Sequence, residues 1–269
     1  MHSRSKPFIY LMVLLAIVMT LFPLYWIFVL ATRDPVQAFG TPKFLFVPQF
    51  DAFGQVWTDQ GFVHAVIMSI FTTVLTILIA LAVATPAAYI MVRRHVRRRQ
   101  PLVVWLLVAY LLPDFVVAIP FYNIFQYIHL YDTAIGLALV YQVFMTPFAV
   151  TIMIAFFRDI PPEVGEAALI DGCTSASALW RVYLPLTRAG VATVAILIGI
   201  NVWNEVTIAL ALTSDHPTVP IAVAAYKGFA ALKWNQLGAA SFLSIVPMIA
   251  FALFAQRHIV RGLTAGMSR

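Results

Sequence analysis

The 269-residue sequence predicts an all-α integral membrane protein with six transmembrane helices. Three observations support this fold class: the composition, a series of long uncharged segments, and an uneven distribution of basic residues. Hydrophobic residues make up 62% of the chain, charged residues make up 10%, and the mean hydropathy is +0.91. A soluble domain is typically about 45–50% apolar and about 25% charged. The composition therefore excludes an ordinary soluble enzyme, a disordered chain and a nucleic-acid-binding module.

Six segments are long and apolar enough to cross a bilayer, which takes roughly 20 helical residues. Four of them contain no charged residue, and the third and fifth each contain one carboxylate, Asp114 and Glu205. The first segment is too long for the apolar core of a typical secretion signal, about 7–15 residues, so we expect it to be a span. The predicted spans are residues 8–32, 62–92, 102–125, 133–157, 189–213 and 237–256.

The basic residues predict the orientation of these spans. Of the 17 Lys and Arg residues, 13 lie in residues 1–7, 93–101, 158–188 and 257–269, and 4 lie in the alternate segments. Cytoplasmic loops carry the excess of basic residues, so both termini are predicted to be cytoplasmic. We interpret the main basic cluster as a topology anchor that contacts lipid phosphates, rather than as a nucleic-acid site. This cluster consists of Arg93, Arg94, Arg97, Arg98 and Arg99.

One of the basic segments, residues 158–188, has the pattern of a short helical hairpin. We expect Asp159 to cap a first helix and Gly172 to end it in the left-handed conformation. Thr174 or Ser175 can cap a second short helix, which we expect to end at Pro185.

Two interpretations of this hairpin follow from its residues. It is either an interfacial hairpin beneath the membrane or an insert for a groove on a cytoplasmic partner. In the second case, the small side chains of Ala167 and Ala168 would permit close approach. The residue types and their spacing leave both interpretations open.

The sequence EAALIDGC followed by WRVYLPL resembles the EAA loop of permease subunits of binding-protein-dependent ABC importers. Departures from the family pattern are Cys173, where the family has Ala, and Gly165, where an acidic residue often stands. The stretches IPFYNIFQYIHLYDTAIGL, VWNEVTIAL and QRHIVRGLTAG are similar to those of maltose-permease G-type subunits. The residues that match the EAA pattern are Glu166, Ala167, Ala168, Gly172, Leu184 and Pro185.

This resemblance implies a type I ABC importer permease fold, with residues 1–269 as a single transmembrane domain and 158–188 as its cytoplasmic coupling loop. It implies a transport subunit of a bacterial or archaeal inner membrane, not an enzyme. The implied partners are a second, homologous permease subunit, two ATPase subunits, an extracytoplasmic sugar-binding protein, the lipid bilayer and a carbohydrate substrate, without nucleic acid. The implied ATPase-coupling residues are Glu166, Ala167, Ala168, Asp171, Gly172 and Pro185.

No cofactor is expected in this chain. It contains no G-x-x-x-x-G-K-[ST] phosphate loop, so ATP and Mg²⁺ are expected on the ATPase partner. Cys173 is the only cysteine and the six histidines are scattered, so we expect neither a metal site nor a catalytic cluster.

Polar residues at membrane depth are the candidates for the translocation pathway, because an ionisable group there is costly and usually functional. They are Asp114, Asn201, Asn204 and Glu205. We expect Pro113 and Pro120 to break or kink the span around Asp114. The four residues have two open roles, in the pathway or in hydrogen bonds that fix span packing. Sugar-stacking faces are expected from Tyr110, Tyr141 and Trp203.

A different function remains possible on these residues. The chain could be a stand-alone secondary transporter or channel, with Asp114 and Glu205 as ion-coupling groups. This alternative leaves the EAA loop without a role.

Overall fold

A computed structural model describes residues 6–34, 46–93, 99–226 and 233–266. Within these ranges the regular structure is helical, and no strand is present. The helices are α1 (Lys6–Thr32), α2 (Asp51–Thr58), α3 (Gln60–Arg93), α4 (Arg99–Tyr110), α5 (Asp114–Tyr127), α6 (Ala134–Arg158), α7 (Pro162–Ile170), α8 (Ser175–Ala178), α9 (Leu184–Leu186), α10 (Arg188–Trp203), α11 (Thr207–Leu212), α12 (Val219–Ala225) and α13 (Trp234–Gly266). A π-helical turn, Leu179–Tyr183, joins α8 to α9.

The helix lengths confirm an all-α membrane protein. Helices α1, α3, α6 and α13 are each long and apolar enough to cross a bilayer, and they correspond to the first, second, fourth and sixth predicted spans. Two further pairs of helices pass the same test together but are bent, α4 with α5 by 81° and residues 175–186 with α10 by 76°. The described residues therefore hold up to six spans if each bent pair counts as one.

The chain divides into two compact units, of which the first comprises Met1–His64 and Ile221–Pro247. Its described part is held by aromatic packing: the ring of Phe242 lies 5.6 Å from Phe28 and 5.9 Å from Phe53. Tyr226 donates a hydrogen bond of 2.6 Å to the carboxylate of Asp59. The ring contacts join α1, α2 and α13, and the hydrogen bond joins the residues that follow α2 and α12.

The second unit comprises Ala65–Pro220 and Met248–Arg269, and α6 lies at its centre. Helices α4 and α10 pack on α6, and α11 packs on α5. Helix α3 has small residues at buried positions. Three of them are fully inaccessible to solvent: Ala80, Ala84 and Ala88. Small side chains of this kind let helix backbones approach closely within a membrane. The packing of α4 and α10 on α6, and of α11 on α5, places these five helices around one site.

A loop contact in the second unit fixes the connection that precedes α6. Asp132 has a φ of +60°, and its carboxylate accepts hydrogen bonds from the backbone N–H groups of Ser214, Asp215 and His216 at 2.8, 3.2 and 3.1 Å. Burial acts to raise the pKa of Asp132. The hydrogen bonds from Ser214, Asp215 and His216 oppose this, and the net pKa is below the ordinary value of 3.8.

Candidate functional site

The third predicted span is broken next to Asp114, as expected. Helix α4 ends at Tyr110 and α5 begins at Asp114, with an angle of 81° between them. Pro113, which has no backbone N–H, occupies the extended position before α5 with φ −63°. The Asp114 carboxylate therefore lies in the first turn of α5, at the positive end of the helix dipole. Pro120 lies within α5 and does not end it.

The fifth predicted span is not continuous, which corrects the expectation of one helix over residues 189–213. Helix α10 ends at Trp203 and α11 begins at Thr207. Between them, the carboxylate of Glu205 accepts hydrogen bonds from the N–H groups of Ile208 at 2.7 Å and Ala209 at 3.1 Å. These are first-turn amides of α11 that have no partner within the helix. The side chain of Glu205 thus caps a new helix inside an apolar segment.

A third donor reaches Glu205 from α6. The hydroxyl of Tyr141 donates a hydrogen bond of 2.7 Å to the Glu205 carboxylate, and Tyr141 is buried. Three donors surround a charged group that would otherwise be costly in an apolar environment. Glu205 therefore links α6 to α11 within this chain.

The breaks at Asp114 and Glu205 line the same cavity, which has a volume of about 270 Å³. The structure brings Asp114, Asn201 and Glu205 together there, although Asp114 and Asn201 are 87 positions apart in the sequence. The cavity is lined by Tyr110, Asp114, Tyr141, Phe144, Met145, Asn201, Val202, Glu205 and Ile208.

Two of the predicted residues lie away from this cavity wall. Asn204 is exposed, and its amide donates to the carbonyl of Ile200 at 2.8 Å. Trp203 is buried within the chain, with 3% of its surface exposed. Of the three expected aromatic faces, only Tyr110 and Tyr141 line the cavity.

The cavity offers hydrogen-bond acceptors next to aromatic rings. The Asn201 side chain donates its amide to the carbonyl of Leu197 at 2.8 Å, and its side-chain oxygen is a further hydrogen-bond acceptor. No residue in the described part of the chain hydrogen-bonds to the Asp114 carboxylate. Tyr110 stacks on Phe148 with ring centroids 5.5 Å apart. Acceptors beside a fixed ring suit a ligand that carries hydroxyl groups and an apolar face.

The second predicted site, the hairpin around α7, has the expected turn. Gly172 has φ +83°. Its N–H donates to the carbonyl of Leu169 at 3.1 Å, and the N–H of Cys173 donates to the carbonyl of Ala168 at 2.9 Å. These two bonds form a Schellman motif, which requires the left-handed position that glycine adopts most easily. The side chain of Thr174 then caps α8 by accepting from the N–H of Ser177 at 3.2 Å.

Two details of the hairpin differ from the expectation. Asp159 is the C-cap of α6, whereas Pro161 precedes α7 and Pro162 begins it. Pro185 does not end the second helix, because the π-helical turn continues into α9, which ends at Leu186. Pro185 therefore lies inside a continuous helical segment, just after the π-helical turn.

The exposed side chains of α7 also differ from the predicted pair of alanines. Ala167 is exposed, but Ala168 is buried against its own chain with 6% of its surface exposed. Leu169 and Ile170 instead present 55% and 85% of their surfaces. Glu166 and Asp171, two polar residues of the predicted coupling set, are exposed, as is Pro185. We call Leu169 and Ile170 the apolar end of α7. The sequence analysis did not predict that these two residues are exposed, because the spacing of residues along a helix does not show which of its faces is buried.

Below α7, a cluster of side chains ties the hairpin to the long helices. The guanidinium of Arg93 donates hydrogen bonds to the carbonyls of Phe157 and Ile160 and lies 4.8 Å from the ring centroid of Tyr183. Arg93 was expected to contact lipid phosphates, and instead it satisfies carbonyls at the end of α6. Arg94, Arg97 and Arg98 lie outside the described residues.

Gly165 has a structural reason to replace the acidic residue of the family pattern. A Cβ at this position would collide with the hydroxyl oxygen of Tyr183. Glycine therefore lets α7 pack directly on Tyr183, and through it on the ring of Tyr89, whose centroid lies 5.0 Å away.

No group of three or more histidine, cysteine or carboxylate side chains that could hold a metal ion is found in the described ranges.

Comparison with known proteins relates the chain to membrane transport subunits. The sequence pattern of the family described as "Binding-protein-dependent transport system inner membrane component" matches residues 77–265. The chain is 34% identical to the "Probable ABC transporter permease protein y4oR" of Sinorhizobium fredii, over 91% of this chain and 89% of that protein. It is also 34% identical to the "Trehalose transport system permease protein SugB" of Mycobacterium tuberculosis, over 91% of each.

The fold is similar to that of a solved structure. A chain of a bacterial ABC transporter "involved in the import of the acidic polysaccharide alginate" aligns with a TM-score of 0.73 and 24% identity. The alignment covers 96% of this chain and 98% of that chain.

Proposed function

The chain belongs to the family of inner membrane components of binding-protein-dependent transport systems, and we propose that it is one of two permease subunits of an ABC sugar importer. The family resemblance predicted from the sequence is confirmed. The chain is accordingly a multi-pass inner-membrane transport subunit rather than an enzyme. In the proposed complex it forms half of the translocation pathway and couples to a separate ATPase through α7.

The observation that carries the coupling proposal is the apolar end of α7. Leu169 and Ile170 are exposed in the middle of the EAA pattern, at the end of a helix held by the Schellman motif at Gly172. The cation Arg93 and the ring of Tyr183 support the base of the hairpin. The apolar end of α7, held in place by these contacts, suits insertion into a groove of a cytoplasmic ATPase, since the cores of protein interfaces are typically apolar.

The other partners follow from the same proposal. ATP and Mg²⁺ are bound by two ATPase subunits, and a second, homologous permease completes the pathway. An extracytoplasmic binding protein delivers the substrate, in keeping with the family description. A carbohydrate substrate is supported by the name of the mycobacterial relative. The excess of basic residues in alternate segments supports cytoplasmic termini.

The alternative of a stand-alone secondary transporter is not favoured. It requires Glu205 as an ion-coupling group, whereas three donors of this chain already surround that carboxylate. It also assigns no partner to α7.

The coupling proposal is tested by placing a charge on the apolar end of α7. Ile170→Asp should reduce co-purification of the ATPase and its stimulation by loaded binding protein, with normal abundance of this chain in the membrane. Val47→Asp is the matched control, because Val47 is 86% exposed and lies outside the hairpin. The conservative variant Ile170→Leu should retain both co-purification of the ATPase and its stimulation.

A second variant perturbs the turn that holds the apolar end of α7, rather than its exposed surface. Gly172→Val strains the turn without adding charge, and it should weaken stimulation in the same assay. Full ATPase retention and stimulation with both Ile170→Asp and Gly172→Val would leave the hairpin as an interfacial element and refute the coupling role.

A further inference from the structure

The cavity between α4, α5, α6, α10 and α11 has an unusual balance of charge. Two carboxylates, Asp114 and Glu205, lie in its wall, and none of its lining residues is Lys, Arg or His. Glu205 is already occupied by three donors from this chain. Asp114, exposed to the cavity at the start of α5, is the acceptor that remains for a ligand.

A charge of this kind discriminates among ligands. At ~6 Å and an effective dielectric constant of about 20, one carboxylate disfavours an anionic ligand over a neutral one by about a hundredfold. The hydroxyl groups of a neutral sugar can donate to Asp114 and to the Asn201 oxygen. The ring of Tyr110, fixed by its stacking on Phe148, offers a flat apolar surface for the sugar's C–H face.

The size of the cavity limits how much of a ligand it takes. Its volume of about 270 Å³ is below the ~300–1,000 Å³ typical of sites that enclose a whole drug-sized molecule. The cavity therefore suits one ring of a longer carbohydrate, with the remainder lying outside this wall.

We propose that this cavity is a subsite for an uncharged sugar ring, and that Asp114 excludes acidic sugars from it. The proposal rests on the function proposed above and adds a substrate class to it. It assigns Asp114 and Asn201 to ligand contact, and it assigns Glu205 to positioning of the wall through Tyr141 and α11.

The charge of the cavity is testable without knowing the transported sugar. The complete importer is prepared with Cys173→Ser in this chain and a single new thiol, Met145→Cys, in the cavity wall. The rates of reaction with a cationic and an anionic methanethiosulfonate of similar size are then compared with those of a free thiol in solution.

We expect the cationic reagent to be favoured at Met145→Cys by at least about fivefold relative to the free thiol. This is the ratio that one negative charge at ~8 Å produces even at the dielectric constant of water. Adding Asp114→Asn should bring the ratio back toward that of the free thiol. A ratio equal to that of the free thiol, or no reaction with either reagent, would overturn the proposal.

Ligand protection provides the second measurement. Trehalose, used as a neutral disaccharide probe, should slow the reaction at Met145→Cys more than a uronic-acid disaccharide at the same high concentration. Asp114→Asn should reduce this difference between the two sugars. Equal or stronger protection by the acidic disaccharide would refute the proposed selectivity.

Failure of this inference is distinguishable from failure of the proposed function. The labelling ratio requires neither transport nor ATP, whereas the importer function is measured separately as ATP-dependent uptake by the parent complex. Uptake without charge selectivity at Met145→Cys would refute the subsite and leave the importer assignment intact.

Discussion

Glu205→Ala is a substitution for which the structure predicts a large loss of stability. The change removes the acceptor shared by the Tyr141 hydroxyl and the N–H groups of Ile208 and Ala209. These three donors cannot turn to other partners easily, because two are backbone groups of α11 and Tyr141 is 2% exposed.

The expected magnitude follows from the number of donors. A buried donor left without a partner costs about 1–3 kcal/mol. The adjoining cavity admits water on one side, so we take the lower end of this range for each donor. The free energy of unfolding should therefore fall by about 3 kcal/mol in Glu205→Ala.

Smaller changes at the same contact should lower the free energy of unfolding by less than Glu205→Ala does. Tyr141→Phe removes one hydrogen bond to a charged group and leaves two donors on the carboxylate. It should cost about 1.5 kcal/mol, the lower end of the range for such a bond. Glu205→Gln retains an acceptor oxygen, so it should be milder than Glu205→Ala. The double variant Tyr141→Phe with Glu205→Ala should cost little more than Glu205→Ala alone, because both remove the same bond.

The assay is unfolding of the purified importer in mixed micelles, followed through increasing concentrations of SDS. Glu163→Ala, the same chemical change at an exposed position of α7, is the control and should lie within about 0.5 kcal/mol of the parent. The reasoning is refuted if Glu205→Ala matches this control, or if the losses in Tyr141→Phe and Glu205→Ala simply add in the double variant.

Four further predictions follow from the hairpin and the loops. Gly165→Ala should shift α7 away from the Tyr183 hydroxyl and lower ATPase stimulation in reconstituted importer, with partial recovery on adding Tyr183→Phe; unchanged stimulation would contradict this packing. Gly172→Asn should impair ATPase stimulation less than Gly172→Val does. The left-handed conformation at φ +83° costs most residues roughly 1–2 kcal/mol, and asparagine adopts it more easily. Equal loss in the two variants would argue against strain at the turn. Arg93→Lys keeps the charge but loses the planar fork that reaches two carbonyls, so the thermal midpoint of the importer should fall; a midpoint equal to the parent's would show that the charge alone suffices. Asp132→Asn should lower thermal stability at pH 7, and the difference from the parent should vanish in acid. The lowered pKa of Asp132 stabilises the folded state at pH values above the ordinary pKa of 3.8, and this contribution is lost as the pH falls through the folded-state pKa. A difference that persists in strong acid would contradict this reasoning.

The sequence by itself determined the class of the protein and the local structure of its hairpin. Uninterrupted apolar segments of sufficient length predict membrane helices because an unpaired backbone cannot remain in lipid. The left-handed turn at Gly172 and the cap at Thr174 were also predictable, since both depend on residues within a few positions of one another. The break before Asp114 followed from Pro113 in the same local way.

Only the tertiary structure decided which side chains meet. The continuous fifth span was a wrong prediction because a carboxylate can start a new helix when a distant donor, Tyr141, shares it. The burial of Ala168 and the exposure of Ile170 depend on which face of α7 packs on Tyr183. Asp114 was identified in the third predicted span, and Asn201 and Glu205, four residues apart, were identified in the fifth. Their gathering around one cavity arises from the packing of α4, α5, α10 and α11 near α6, which brings together positions that the order of residues along the chain keeps far apart.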